Sequence, residues 1–468
     1  MSFQLSPHLD RNKIFLVNLN DLEGRLDPFC YIPELVQLDK KIKSKTKYRL
    51  KNFSTSHSSG ATPSKSEDSY YSDAENGIPF VRVQNLSTTG ELDRNDLVYI
   101  SKDIHEGLLK RSQVKEHDLL VKITGVGRMA IASVAPEGFE GNINQHIVVI
   151  RTDSRETSEN LAAFLNLDSI EKLASKRATG GTRPALDYPA LFSIPVINER
   201  KIYEKIKEAV EIKKQKEEEA QRSLDSIDDY LLSELGINLS EPEENTIQNR
   251  IFYRKLSEVS SGRFDPNNYR KERLEAIDSI QNSLFSVKML REVLTFRSIK
   301  VNEIIEGTVY VGMENIMSNT GELVSNHEKA SISSASIFLK NDILFPKLRP
   351  YLNKVYYADG EGLCSTEFHV LYSNSECNEF IANFLRSKVV VAQTKYLMSG
   401  NTLPRLQSED IKKLFIPIPP LEKQLEIVDR ITAIRTQAKQ LRQAAAAKLD
   451  QAKQEVEAMI LGEPENEA

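Results

Sequence analysis

A stretch of this 468-residue chain occurs twice, and that repeat restricts the possible folds more than any other feature. Gly24-Arg25-Leu26-Asp27-Pro28-Phe29-Cys30-Tyr31 returns as Gly262-Arg263-Phe264-Asp265-Pro266-Asn267-Asn268-Tyr269, an offset of 238. Phe80-Val81-Arg82-Val83-Gln84-Asn85-Leu86 with Thr89-Gly90-Glu91-Leu92 returns as Tyr310-Val311-Gly312-Met313-Glu314-Asn315-Ile316 with Thr320-Gly321-Glu322-Leu323. Gly180-Gly181-Thr182-Arg183-Pro184-Ala185-Leu186 matches Gly400-Asn401-Thr402-Leu403-Pro404-Arg405-Leu406, and Ile194-Pro195-Val196 matches Ile416-Pro417-Ile418. Four matches in one order with a drifting offset are the mark of a duplicated domain, because surface loops change length more easily than the elements they join.

Each half opens with short β-branched runs such as Ile147-Val148-Val149-Ile150 and Phe368-His369-Val370-Leu371, broken by Gly, Asn and Pro turn signals. A long helix then ends each half. Ile202, Ile206, Val210, Leu224, Ile227 and Leu231 recur at three- and four-residue steps in the first, and Leu421, Leu425, Val428, Ile431, Ile434, Leu441, Leu449, Val456 and Ile460 in the second. Pro419 and Pro420 mark the entry to the second helix, which at about 1.5 Å per residue runs roughly 60 Å. A narrow apolar stripe of that length needs a partner helix. Periodicity alone leaves a dimerisation arm and an internal pair open, and the duplication favours the internal pair.

The expected fold is therefore α+β, with two repeated, mostly β domains and two long helices paired with each other. The boundaries expected are a first domain over 1–198, a central helix over 199–240, a second domain over 241–419 and a C-terminal helix over 420–468.

Composition is that of an ordinary globular chain, 40% hydrophobic and 28% charged. No apolar run approaches the roughly 20 residues of a membrane span, and the first eleven residues carry no basic segment leading into an apolar one, so a cytoplasmic location is expected. The three cysteines, Cys30, Cys364 and Cys377, form no C-x-x-C pair and have no histidines at zinc-finger spacing, which points to reduced thiols. The formal net charge of −5 requires any nucleic-acid surface to be locally concentrated or completed by a partner.

Several segments resemble the specificity (S) subunits of Type I restriction-modification enzymes over nearly the whole chain. Ile416-Pro417-Ile418-Pro419-Pro420-Leu421-Glu422-Lys423-Gln424 resembles the entry to that family's spacer helix. Asn341-Asp342-Ile343-Leu344-Phe345-Pro346-Lys347-Leu348-Arg349-Pro350-Tyr351-Leu352 resembles a core strand of its target recognition domain. Gly141-Asn142-Ile143-Asn144-Gln145-His146 and Ser58-Ser59-Gly60-Ala61-Thr62-Pro63-Ser64 are similar to further family segments. The resemblance implies two target recognition domains, each reading one part of a bipartite double-stranded DNA site. It also implies that the two long helices pack antiparallel as a coiled-coil ruler that docks two methyltransferase (modification) subunits, with motor-nuclease restriction subunits joining. A related Type II or other phage-defence methyltransferase system, and a coiled-coil protein-binding scaffold, are the alternatives.

Base discrimination requires paired donors and acceptors, and phosphate contact requires cations or backbone amides. Lys122, Thr124 and Arg128 in the first half and Lys347 and Arg349 in the second are candidates, read as occupying comparable places. Asn144 and Gln145 suit adenine, whereas Thr366 and Glu367 stand in the second half and glutamate can accept from cytosine. Thr182, Arg183 and Thr402 sit in Gly-containing loops that permit close backbone approach. Asn85 and Asn315, and the pairs Arg25-Asp27 and Arg263-Asp265, read as structural. The densest basic run, Lys40 to Lys51, fits either a phosphate track or a solvated face. Leu421, Leu425, Val428, Ile431, Ile202 and Ile206 are the candidate partner-binding residues.

Catalytic signatures do not emerge. No phosphate-loop motif is present, and Gly125-Val126-Gly127-Arg128-Met129-Ala130, which fits G-x-G-x-x-A, leads into a strand pattern where a nucleotide fold needs a helix. The lone Pro-Pro pair, Pro419-Pro420, lacks the Asn/Asp and aromatic neighbours that methyltransferases resembling this family's partners carry. A non-catalytic subunit is expected, with S-adenosylmethionine, ATP and Mg on partner chains and neither cofactor nor metal on this one.

Overall fold

The computed structural model describes residues 6, 8–22, 26–240, 246–255, 259, 265–302, 308–324, 334–398 and 405–462. Two compact units divide the chain, one of Met1–Lys216 with Gln443–Ala468, the other of Glu217–Arg442.

In the first unit an antiparallel sheet orders the strands Ser56–Ser59, Ile147–Arg151, Leu119–Lys122 and Ala132–Val134. Successive strand residues face opposite ways, and both faces are covered, which explains the unbroken apolar runs. Leu119, Val121, Val148 and Ile150 pack on the helix Arg155–Leu165 through Leu161 and Phe164, whereas Leu120, Ile147 and Val149 meet Val81, Val114 and Ile143. Those last residues belong to a second sheet in the order Tyr71–Ser72, Val98–Ile100, Ile78–Val81, Gly141–Ile143, Gln113–Val114. Ser154 caps the helix, its hydroxyl accepting from the Thr157 amide at 3.2 Å.

The second unit repeats this plan. Its strands Thr295–Arg297, Phe368–Tyr372, Ile343–Pro346 and Tyr356–Tyr357 form one sheet, and Lys300–Val301, Ala335–Phe338, Gly362–Ser365 and Tyr310–Val311 another. Ile343, Phe345 and Leu371 face helices, while Leu344, Phe368 and Val370 face the other sheet. Even the parallel pairing is shared, Val81 opposite Ile143 in one unit and Val311 opposite Cys364 in the other. Duplication thus extends to strand order and register in the first sheet, and to the parallel pair of the second, whose outer strands differ between the units.

Both long helices form, over Arg200–Leu235 and Leu421–Leu461. Pro419 and Pro420 precede the first turn of the second, where the Pro420 carbonyl accepts from the Gln424 amide at 3.1 Å. Each unit contains part of each helix. In the second unit Leu231, Leu232 and Leu235 pack with Ile427, Val428 and Ile431, whereas Ala220 and Leu224 pack with Ala438, so the helices there run antiparallel. Lys423 meets Glu234 at 2.6 Å beside this seam. In the first unit Ile202, Ile206, Ala209 and Val210 share a core with Leu449, Ala452, Val456 and Ile460. The stripe that could have served a dimerisation arm is covered by the chain's own second helix.

Candidate nucleic-acid interface

Four segments of the first unit are tied together beyond the end of its strands. The Ile123 amide donates to the His146 carbonyl at 2.9 Å, the Leu186 amide to the Ile123 carbonyl at 2.8 Å, and the Gly125 amide to the Pro184 carbonyl at 3.1 Å. The fourth segment joins through Gly60, where a Cβ would lie 1.7 Å from the Ile143 carbonyl oxygen. Only a glycine lets the chain pass that close.

This edge sorts the candidates. Gln145 is exposed at its rim, its Oε1 accepting from the Thr62 hydroxyl and its Nε2 lying 3.3 Å from His146 Nε2. Thr182 and Arg183 are exposed at the tip of a loop closed by mutual Thr179–Ala185 backbone bonds of 2.8 Å. Thr124 is half-buried and bridges to Ala185. Lys122, by contrast, is only 4% exposed, and its ammonium donates to the Val126 carbonyl at 2.8 Å. Burial pushes its pKa down, opposed by Glu171. Arg128 pairs with Asp168 and donates to the Asn166 carbonyl at 2.6 Å, which fastens the loop to the helices. Asn144 is buried, its Oδ1 accepting from the His146 amide at 3.1 Å to shape the turn. Lys122, Arg128 and Asn144 are therefore placed as supports of the edge rather than as its displayed groups.

In the second unit the same bonds recur. The Lys347 amide donates to the Glu367 carbonyl at 2.8 Å, and the Leu406 amide to the Lys347 carbonyl at 2.9 Å. This register corrects the equivalence read from sequence. Lys347 matches Ile123, not Lys122, whose place is taken by Pro346, and a one-residue shift in a strand reverses the side a residue faces.

Different groups stand on this second edge. Arg405, at the place of Ala185, donates from Nε and Nη2 to Glu367 at 2.9 and 2.8 Å, a bidentate pair that holds the Glu367 carboxyl below its usual range. The Lys347 ammonium donates to the Thr366 carbonyl at 2.6 Å, and burial with nearby Lys300 pushes its pKa down. Arg349 is exposed in a left-handed conformation, φ 46°. Thr366 is half-buried, and Thr402 lies outside the described residues. Arg405, Thr62 and His146 are the members that sequence reasoning missed. For Arg405 the signal was present, an arginine opposite an alanine between the matching pairs Pro184/Pro404 and Leu186/Leu406 of the repeat.

The residues read as structural behave so where described. Asn85 and Asn315 accept from the Arg82 and Gly312 amides at 3.0 and 2.8 Å, and Asp27 and Asp265 cap Asp-Pro turns. Arg25 and Arg263 lie outside the described residues. Lys40, Lys41, Lys43, Lys45, Lys47 and Lys51 are all exposed. After Gly125-Val126-Gly127 the chain enters the strand Ala132–Val134 with no intervening helix, so the glycines build no dinucleotide site. Of the six candidate partner-binding residues, Ile202, Ile206, Val428 and Ile431 are buried within their own units, which corrects their assignment as an outward surface. Leu421 and Leu425 remain 53% and 48% exposed.

Part of the chain is similar to known proteins. The model of the Type I restriction modification DNA specificity domain matches residues 283–450. The Type I restriction enzyme EcoDI specificity subunit of Escherichia coli is 28% identical over 127 residues, a segment covering 26% of this chain and 28% of that protein. The crystal structure of the HsdS subunit from Thermoanaerobacter tengcongensis is 13% identical with a TM-score of 0.32, covering 89% of this chain and 96% of that one. A Type I restriction-modification S subunit from M. genitalium is 13% identical with a TM-score of 0.35, covering 89% and 94%. Residues 283–450 of this chain thus match the Type I restriction modification DNA specificity domain.

Proposed function

We propose that this chain is the DNA sequence-specificity subunit of a restriction-modification complex, each unit reading one part of a bipartite site. One observation carries this: the same backbone hydrogen bonds build the same edge in both units, and the side chains displayed there differ. The first edge presents Gln145, Thr62, Thr182 and Arg183, whereas the second presents Arg349 and the Arg405–Glu367 pair. A single scaffold with two donor and acceptor displays suits two unlike sequences. Methyl transfer and cleavage then belong to modification and restriction subunits, which would bring S-adenosylmethionine, ATP and Mg. Leu421 and Leu425 offer apolar surface to such partners. Cytoplasmic placement follows from that role, and among the described residues no helix is long and apolar enough to cross a membrane.

The net charge of −5 fits a subunit that binds DNA tightly only with its partners. Mapping methylated adenines in the host genome with and without the gene tests the proposal. Loss of methylation at one bipartite motif is expected, and an unchanged methylation map overturns it. A salt titration adds a second readout: specific binding by the co-purified complex should fall steeply with salt, and a protein scaffold would show no specific DNA binding.

A further inference from the structure

We infer that Gln145 is the adenine-reading residue of the first unit and that Thr62 and His146 are its positioning residues; this rests on the DNA-recognition reading above. A carboxamide recognises adenine by accepting from N6 and donating to N7, which requires its oxygen and nitrogen ends to be the right way round. An isolated surface glutamine flips freely. Gln145 is set from both ends: the Thr62 hydroxyl donates to Oε1, and Nε2 lies 3.3 Å from His146 Nε2, within reach of a hydrogen bond from the amide to that ring nitrogen. An amide oxygen has two lone pairs and an amide nitrogen two hydrogens, so both contacts can persist while a base edge is read.

The supports are themselves held. His146 is pinned by its amide to Asn144 Oδ1 at 3.1 Å and by its carbonyl to the Ile123 amide at 2.9 Å. Thr62 lies between Gly60, seated against the Ile143 carbonyl, and buried Pro63, whose carbonyl accepts from the Tyr71 hydroxyl at 2.8 Å. A side chain that is exposed, oriented at both ends and backed by fixed main chain has lost its rotational freedom before any ligand arrives. The second unit does not repeat the arrangement. Thr366 and Glu367 stand at the places of Gln145 and His146, so this way of reading adenine belongs to the first unit alone.

The test is selection of randomised duplex DNA by the full-length chain in complex with the subunits that co-purify with it. Wild type should enrich a bipartite motif containing an adenine. Gln145→Ala should lower discrimination at one such position by about tenfold or more, leaving the other positions and the melting temperature unchanged. Gln145→Glu should move that position toward cytosine, whose N4 amino group donates to a carboxylate. Thr62→Val should weaken the same position, and Thr62→Ser, which restores the hydroxyl, should recover it. If Gln145→Ala and Gln145→Glu both return the wild-type motif at every position, the inference is overturned. A Thr62→Ser variant that behaves like Thr62→Val removes the positioning role. Enrichment of no motif by wild type would instead refute DNA recognition itself.

Discussion

Acid should destabilise the second unit through His369 before ordinary carboxylates titrate. This ring is 7% exposed, stands edge-on to Phe296 at 5.7 Å and donates from Nε2 to the Leu406 carbonyl at 3.4 Å. Burial, with the Lys347 ammonium nearby, pushes its pKa down to about 4. An unfolded histidine titrates near 6.5, so the folded state binds a proton less readily than the unfolded one. Stability contributed by the neutral ring is complete above about pH 6.5 and is lost as pH falls through the folded value near 4. At 1.36 kcal/mol per pKa unit the full loss amounts to roughly 3 kcal/mol. His369→Gln keeps a donor for Leu406 and removes the titration. Urea denaturation at pH 7.0, about 5.5 and about 4.5 should show wild type losing on the order of 2 kcal/mol more than the variant. Equal losses in the two proteins would refute the assignment. Because Leu406 follows Arg405, DNA binding by the second unit should weaken over the same interval.

Three further substitutions probe the architecture. Ile431→Ala, in the fully buried seam between the helices of the second unit, should cost about 2–5 kcal/mol by urea denaturation. Asp39 is 4% exposed and pairs with Arg177 at 2.7 Å and Lys43 at 2.6 Å. Burial opposes its ionisation, but these cations outweigh it and hold the pKa below the usual value, so Asp39→Asn should cost about 2–4 kcal/mol at neutral pH, with the difference from wild type shrinking as acid protonates the carboxylate. Gly60→Ala must move its loop by more than an ångström to clear the Ile143 carbonyl. It should cost about 1–3 kcal/mol in denaturation and abolish adenine discrimination, whereas Gln145→Ala leaves stability intact.

Much of the fold was legible because it rests on patterns with a period. The repeats mark homologous turns, and the three- and four-residue spacing of Ile202, Ile206 and Val210 marks a buried helical face. What that spacing does not reveal is the identity of the covering surface, so Ile202, Ile206, Val428 and Ile431 looked equally fit for an outside partner. The site was harder. Lys122 and Lys347 are both strand-end lysines in similar surroundings, and only hydrogen-bond register shows that they stand one place apart. Their amines satisfy nearby carbonyls, a fate that composition cannot distinguish from phosphate contact.

The division between what repeats and what differs follows from which atoms make the edge. Its closing bonds join backbone amides and carbonyls at Ile123, His146 and Leu186, and at Lys347, Glu367 and Leu406, so they survive any side-chain exchange there that leaves the main chain in place. His146 can become Glu367 and Ala185 become Arg405 without loosening the scaffold. Under the proposed DNA-recognition role, selection for a new sequence can therefore act on the displayed groups while stability is held by main-chain bonds. On this view, exchanging the displayed residues between units should alter the sequence read by each and leave both folds standing. A transplanted edge that unfolds its host, with the backbone bonds available to it unchanged, would show that recognition and stability are not separable here.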